Sequence, residues 1–217
     1  MTPDEARSML AALARGRARW LAETVPRLRA EGVWLTGSLG AGTADEWSDV
    51  DIIVVGRDRT LDHPLLSFAM PGNGPAGGGY VGAMYDVGPL PLWVDWYWWP
   101  TGAPVPRDSR LLTGAGTAGN LDLSETLELV GRGTPGPAPD PDVFAVAMLP
   151  LAAKYLARGD LDKAAAMASM LNAPSDVGVG ARLAVVLSRV EGHATASAAV
   201  HRYLDVVRAI TGPDLWE

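Results

Sequence analysis

The sequence predicts an α+β chain: a small mixed β-sheet with helices packed on it, followed by an all-α helical bundle. Three observations carry that expectation. Short β-branched and aromatic runs cluster in the first half, behind an amphipathic N-terminal stretch. The second half turns to alanine-rich segments with helical periodicity. Between them "GRGTPGPAPDPD", residues 131–142, concentrates Pro and Gly as a domain boundary does. The expected division is a sheet-bearing domain over 1–134, a linker over 135–141 and a helical domain over 142–217.

From residue 3 to about residue 30, Met9, Leu10, Leu13, Trp20, Leu21 and Leu28 recur at helical spacing with Arg and Glu between them. Thr2 or Asp4 can cap the start, Gly32 stops the run, and Pro26 is placed to split it. "VWLTGS" is a short strand running into a Gly-Ser turn, and "DVDIIVVG" is a β-branched strand ended by Gly56. "PGNGPAGGG" (71–79) is too glycine-rich for regular structure, and "YVGAMYDV" and "LWVDWYWW" read as two strands joined through "GPLP". Helices are expected over 143–157, 161–171, 179–191 and 195–210, with Asp142 and Asp160 at N-cap positions. No segment recurs at a fixed period, so the helical part is a bundle and not a solenoid.

Composition narrows the function classes. At 217 residues, 48% hydrophobic and 20% charged, the chain is an ordinary globular protein. A formal charge of −7 argues against gripping a nucleic-acid backbone and suits a cationic small molecule. With no cysteine there are no thiolate zinc sites, disulfides or cysteine nucleophiles. His63, His193 and His201 are scattered and read as surface or packing residues. The N-terminus mixes acids and arginines, so it reads as neither a signal peptide nor an anchor. No window reaches the roughly 18 apolar residues of a spanning helix. A cytoplasmic protein without membrane contact is the expectation.

The chemistry gathers in "GSLGAGTADEWSDVDIIVV". Side chains alternate along a strand, so Asp49 and Asp51 point one way and Val50, Ile52 and Val54 the other. Two adjacent carboxylates repel unless a cation or a proton sits between them, and hard ions such as Mg²⁺ favour carboxylate oxygens and arrive with phosphates. The competing reading makes Asp49 a turn cap and Asp51 a solvent-facing residue. Upstream, Gly37 permits a close backbone approach, and Ser38 offers a hydroxyl and an amide where a helix can begin, an arrangement suited to phosphate oxygens. Asp95, isolated in "LWVDWYWW", is the third acid that would complete a two-metal site, since an unpaired charge there is costly. Its alternative is an exposed acid on an edge strand.

Gly37-Ser38, then Asp49-x-Asp51 leading a β-branched strand, then a later strand aspartate at Asp95, resemble the polymerase beta-like nucleotidyltransferase superfamily. The wording of the first motif is most similar to the small bacterial branch that includes the aminoglycoside nucleotidyltransferases. The resemblance implies that Gly37 and Ser38 hold a triphosphate and that Asp49 and Asp51 bind Mg²⁺. It implies that Asp95 serves a second Mg²⁺ or helps deprotonate the acceptor. Asp86, at the end of "YVGAMYD", is another candidate base if its strand lies beside that of Asp95. The implied reaction is attack of a hydroxyl on the α-phosphorus of a nucleoside triphosphate, ATP by expectation, releasing pyrophosphate. The acceptor would be a small molecule such as an aminoglycoside antibiotic, making resistance the implied role, and the chain would form a homodimer. Alternatives within the same fold are modification of a protein partner, as nucleotidyltransferase antitoxins do, and nucleotide binding without turnover.

A triphosphate also needs cations. Lys154, one of two lysines and set in an apolar helical run, is the candidate that the resemblance favours, with Arg57 a weaker one; a stem packed on the bundle with its amine reaching water is the alternative for Lys154. Four of the eight tryptophans fall in "LWVDWYWW". Alternation puts Trp93, Tyr97 and Trp99 on the Asp95 face, where they could stack on a ligand, and assigns Trp96 and Trp98 to the core.

Overall fold

The computed structural model describes residues 1–56 and 59–217, and Arg57 lies outside the described residues. The first helix, α1, covers Pro3–Thr24 and gives way to a 3₁₀ turn at Val25–Arg27. Pro26 supplies the reason, since it carries no N–H to continue the ladder. Two compact units follow from how the chain packs. One is formed by Gly16–Tyr85 and Leu92–Pro139, the other by Met1–Arg15, Asp86–Pro91 and Asp140–Glu217. The second therefore includes residues 1–15 and 86–91 beside the C-terminal helices, which a single cut at 135–141 does not capture.

Strands β1 (Gly32–Thr36), β2 (Val50–Val55), β3 (Leu66–Ala69), β4 (Gly79–Asp86), β5 (Pro91–Trp99) and β6 (Arg110–Gly114) form one sheet in the order β3-β4-β5-β2-β1-β6. Pairing of β2 with β5 is parallel, while β1 with β2, β1 with β6 and β3 with β4 are antiparallel. The sheet is thus mixed, and the whole chain is α+β. Helix α2 is the short piece Gly37–Ala41 directly after β1, and α3 is Leu123–Val130, capped reciprocally by Asp122 and Glu125.

β3, β6 and α3 were not expected from the sequence. Each is short, and β3 and β6 carry too few β-branched residues to stand out from a loop. The glycine-rich 71–79 stretch is irregular apart from a 3₁₀ turn at Pro71–Asn73.

Both faces of the central strands are covered. On one, Trp34, Ile53, Trp99, Val105 and Leu127 form a buried cluster. On the other, Trp96 stacks on Trp98 at 5.4 Å and meets Trp20 of α1 edge-on at 5.7 Å. Trp96 and Trp98 are core, as expected.

The helical unit contains α4 (Pro141–Ala157), α5 (Leu161–Met170), α6 (Val179–Ser188) and α7 (Ala194–Thr211), with α4 packed against the other three. Asp160 caps α5 by accepting from Lys163 N–H. The cap of α4 is Asp140 rather than Asp142: its carboxylate accepts from Asp142 and Val143 N–H, because Pro141 takes the first helical position. Asp142 accepts from Glu191 N–H instead, at 3.0 Å. No described helix is long and apolar enough to cross a membrane.

Candidate active site

Register sets the centre of the site. Thr36 of β1 pairs with Asp51 of β2, and Asp51 pairs with Asp95 of β5, so one row across three strands holds two carboxylates side by side. In a parallel pair at common register the side chains share a face. Asp51 and Asp95 are both half-buried, and so is Asp49, which stands one residue before β2.

Gly37 is what lets the turn close on this row. It has φ +59, and a Cβ there would lie 2.8 Å from Asp51 Cγ and closer still to Oδ2. An L side chain would meet both a backbone conformation it disfavours and a carboxylate. The bare α-carbon therefore admits Asp51 itself, where the sequence suggested room for a ligand. Ser38 follows in the first turn of α2.

Asp95 solves its burial through neighbours. Tyr80 Oη donates to Asp95 Oδ1 at 2.5 Å and Trp93 Nε1 donates to the same oxygen at 2.8 Å. Hydrogen bonds to a carboxylate compensate the loss of water. Tyr80 comes from β4, which does lie beside β5. That strand brings Tyr80 to Asp95, whereas Asp86, its last residue, is exposed and accepts from Gly88 N–H at 3.4 Å in the following turn. Gly82 makes the arrangement possible: a Cβ there would lie 3.0 Å from Trp93 Cη2 and 3.1 Å from Tyr80 Oη.

Tyr97 completes the aromatic wall, 5.3 Å from the Tyr80 ring. Burial pushes both phenols well above their ordinary range, and the Asp95 and Asp51 charges push them the same way. These tyrosines stay protonated, and Tyr80 donates its hydroxyl hydrogen to Asp95. The exposed Arg132 works against that rise at Tyr97, which marks it as a cation near this face. Trp99 is fully buried with its Nε1 bonded to Pro104 O, so it belongs to the core.

The turn that delivers Asp49 is tightly tied. Asp45 O accepts from Ser48 N–H at 3.2 Å, Ser48 Oγ donates to Asp45 Oδ1 at 2.8 Å, and Trp47 N–H donates to the same oxygen at 3.1 Å. Arg17 of α1, only 9% exposed, donates to Ser48 O through Nη1, and both Nη1 and Nη2 lie 3.3 Å from Asp45 O. Sequence reasoning passed over Arg17, although its signal was present: it falls on the buried stripe Ala6, Leu10, Leu13, Arg17, Thr24 of the helix. Lys154 sits in α4 of the helical unit and is 7% exposed.

Residues 18–72 match the family model described as a nucleotidyltransferase domain. That stretch is similar to a nucleotidyltransferase domain. The likeness supports nucleotidyl transfer in general, and it covers Gly37, Ser38, Asp49 and Asp51 but ends before Asp95. No curated protein matches the chain.

The nucleotidyltransferase-like segment raises the question of a metal. Among the described residues no group of three or more His, Asp or Glu side chains is placed to hold an ion by itself. The donors are hard carboxylate oxygens, two of them paired by register. Mg²⁺ usually takes one or two protein carboxylates and completes its shell with water and substrate phosphates, so this donor set fits Mg²⁺ better than an ion that needs an all-protein cage.

Proposed function

We propose that the sheet unit catalyses Mg²⁺-dependent transfer of a nucleoside monophosphate from a nucleoside triphosphate, with ATP the expected donor, to a hydroxyl of a small molecule. Pyrophosphate is the second product. The observation that carries this reading is the register pair Asp51 and Asp95, with Gly37 closed against Asp51 inside the segment similar to a nucleotidyltransferase domain.

Asp49, Asp51 and Asp95 would supply carboxylate oxygens to Mg²⁺, no more than two of them to one ion, and the metal would offset the negative charge of the phosphates. The chain's own part is placement. Tyr80 and Trp93 fix Asp95 by holding Oδ1, which orients the carboxylate. Gly37 and Ser38 form the first turn of α2, whose backbone amides would meet the phosphates. Tyr80 and Tyr97 wall the carboxylates from water, which strengthens charge interactions there.

A polycationic hydroxylated acceptor, an aminoglycoside first among them, suits a chain of net charge −7. The test is pyrophosphate release from each of the four nucleoside triphosphates with Mg²⁺ against a panel of aminoglycosides and other hydroxylated small molecules, with Asp49→Asn beside the wild type. Acceptor-dependent release that disappears in Asp49→Asn is the expected result. Silence across the panel, with triphosphate binding intact by calorimetry, overturns the small-molecule reading in favour of a protein acceptor or binding without turnover.

A further inference from the structure

Arg17 is a buried cation whose hydrogen bonds, as described above, go to two main-chain carbonyls of one turn. Burying a guanidinium is costly, and two neutral carbonyls compensate only part of the cost. Burial lowers the Arg17 pKa, and the Asp49 and Asp45 charges act against that fall. Those carbonyls bracket the turn: Asp45 O opens it and Ser48 O closes it. Ser48 C=O belongs to the peptide group whose nitrogen is that of Asp49, so fixing that oxygen fixes the plane from which the Asp49 side chain departs.

We propose that Arg17 is a positioning residue for Asp49, its planar fork locking the Asp45–Ser48 turn so that the Asp49 carboxylate is presented to a divalent cation without reorganisation. The proposal deepens the transferase reading and rests on it for the identity of the metal-bearing acid. A fork that reaches two acceptors in a fixed plane is specific to arginine, whereas lysine presents a point charge on a flexible stem. Asp51 lies inside β2, where pairing with Thr36 and Asp95 sets its backbone, and Asp95 is held by Tyr80 and Trp93, whereas Asp49 precedes the strand.

The test compares wild type, Arg17→Lys and Arg17→Gln in two measurements that do not depend on turnover. Hydrogen exchange across 45–49 reads the turn, and electron paramagnetic resonance titration of Mn²⁺ with a non-hydrolysable nucleoside triphosphate reads the metal. Exchange is expected to quicken over 45–49 while the β2 amides keep their protection. Mn²⁺ affinity should fall about tenfold in Arg17→Gln and less in Arg17→Lys. Where turnover is measured, the metal needed for half activity should rise in Arg17→Lys and rise further in Arg17→Gln.

Unchanged Mn²⁺ affinity in both variants overturns the proposal, as does a loss of protection spread evenly through the unit with lysine no better than glutamine. Should Arg17→Gln fail to fold, Arg17→Lys alone decides by the same two readouts. A wild type that holds Mn²⁺ and nucleotide yet transfers to nothing sinks the transferase reading while leaving the Arg17 comparison intact; a wild type that holds no Mn²⁺ overturns the proposal.

Discussion

The two faces of the β2–β5 pair use the same backbone for opposite ends. One face carries Asp51, Asp95 and Tyr97 and reaches the Trp34 cluster only beyond them. The other carries Ile52, Val54, Trp96 and Trp98, all buried, against Trp20 of α1. A strand that places carboxylates on one side can tolerate their repulsion and desolvation because its other side is packed with large apolar groups. Alternate positions along β5 differ accordingly: Asp95 and Tyr97 stand on the face of the candidate site, and Trp96 and Trp98 are buried on the other.

Substitutions on the two faces should separate cleanly, and the largest effect belongs to the polar one. Asp51→Asn should lower kcat by roughly 10³-fold or more, the scale of losing a preorganised electrostatic partner, with the thermal midpoint held. A fall in midpoint without the rate loss would erase the distinction between the faces.

Trp96→Ala is its mirror image. Urea unfolding should show a loss of about 3–5 kcal/mol, the usual cost of truncating a buried aromatic. A mild effect there would mean the apolar face is not the foundation described. Gly37→Ala sharpens the picture at the turn: displacing Asp51 by a fraction of an ångström to an ångström should cost on the order of 10²-fold in kcat/KM.

The smallest expected change is Tyr80→Phe, which deletes one hydrogen bond to a charged acceptor. It should cost about 1.5–3 kcal/mol in transition-state stabilisation if Asp95 orientation matters, read as a drop in kcat. Gly82→Ala supplies the control, since it crowds Trp93 and Tyr80 together without removing a donor. If Gly82→Ala and Tyr80→Phe both leave kcat unchanged, Asp95 is not held for chemistry.

Legibility in the sequence followed the range of the interaction. Period-2 alternation in "DVDIIVV" and "LWVDWYWW" showed which residues share a face, and the four C-terminal helices announced themselves through periodicity. The same alternation placed Trp93 beside Asp95, and a hydrogen bond now joins them. Capping was a closer matter: Asp160 was readable, but at α4 the competition between Asp140 and Asp142 was settled by Pro141 between them. β3, β6 and α3 went unread because their short runs lack a strong local signal and depend on pairing and packing.

By itself, then, the sequence determined the α+β class, the strand that carries Asp51 with Asp49 at its entrance, and the burial of Trp96 and Trp98, because these follow from chain-local periodicity. Only the tertiary structure decided that Asp95 stands level with Asp51, that Tyr80 and not Asp86 reaches it, and that Arg17 clamps the turn before Asp49. Those contacts join residues that lie far apart along the chain, and the alternating pattern of one strand says which face it buries but not which distant strand it meets.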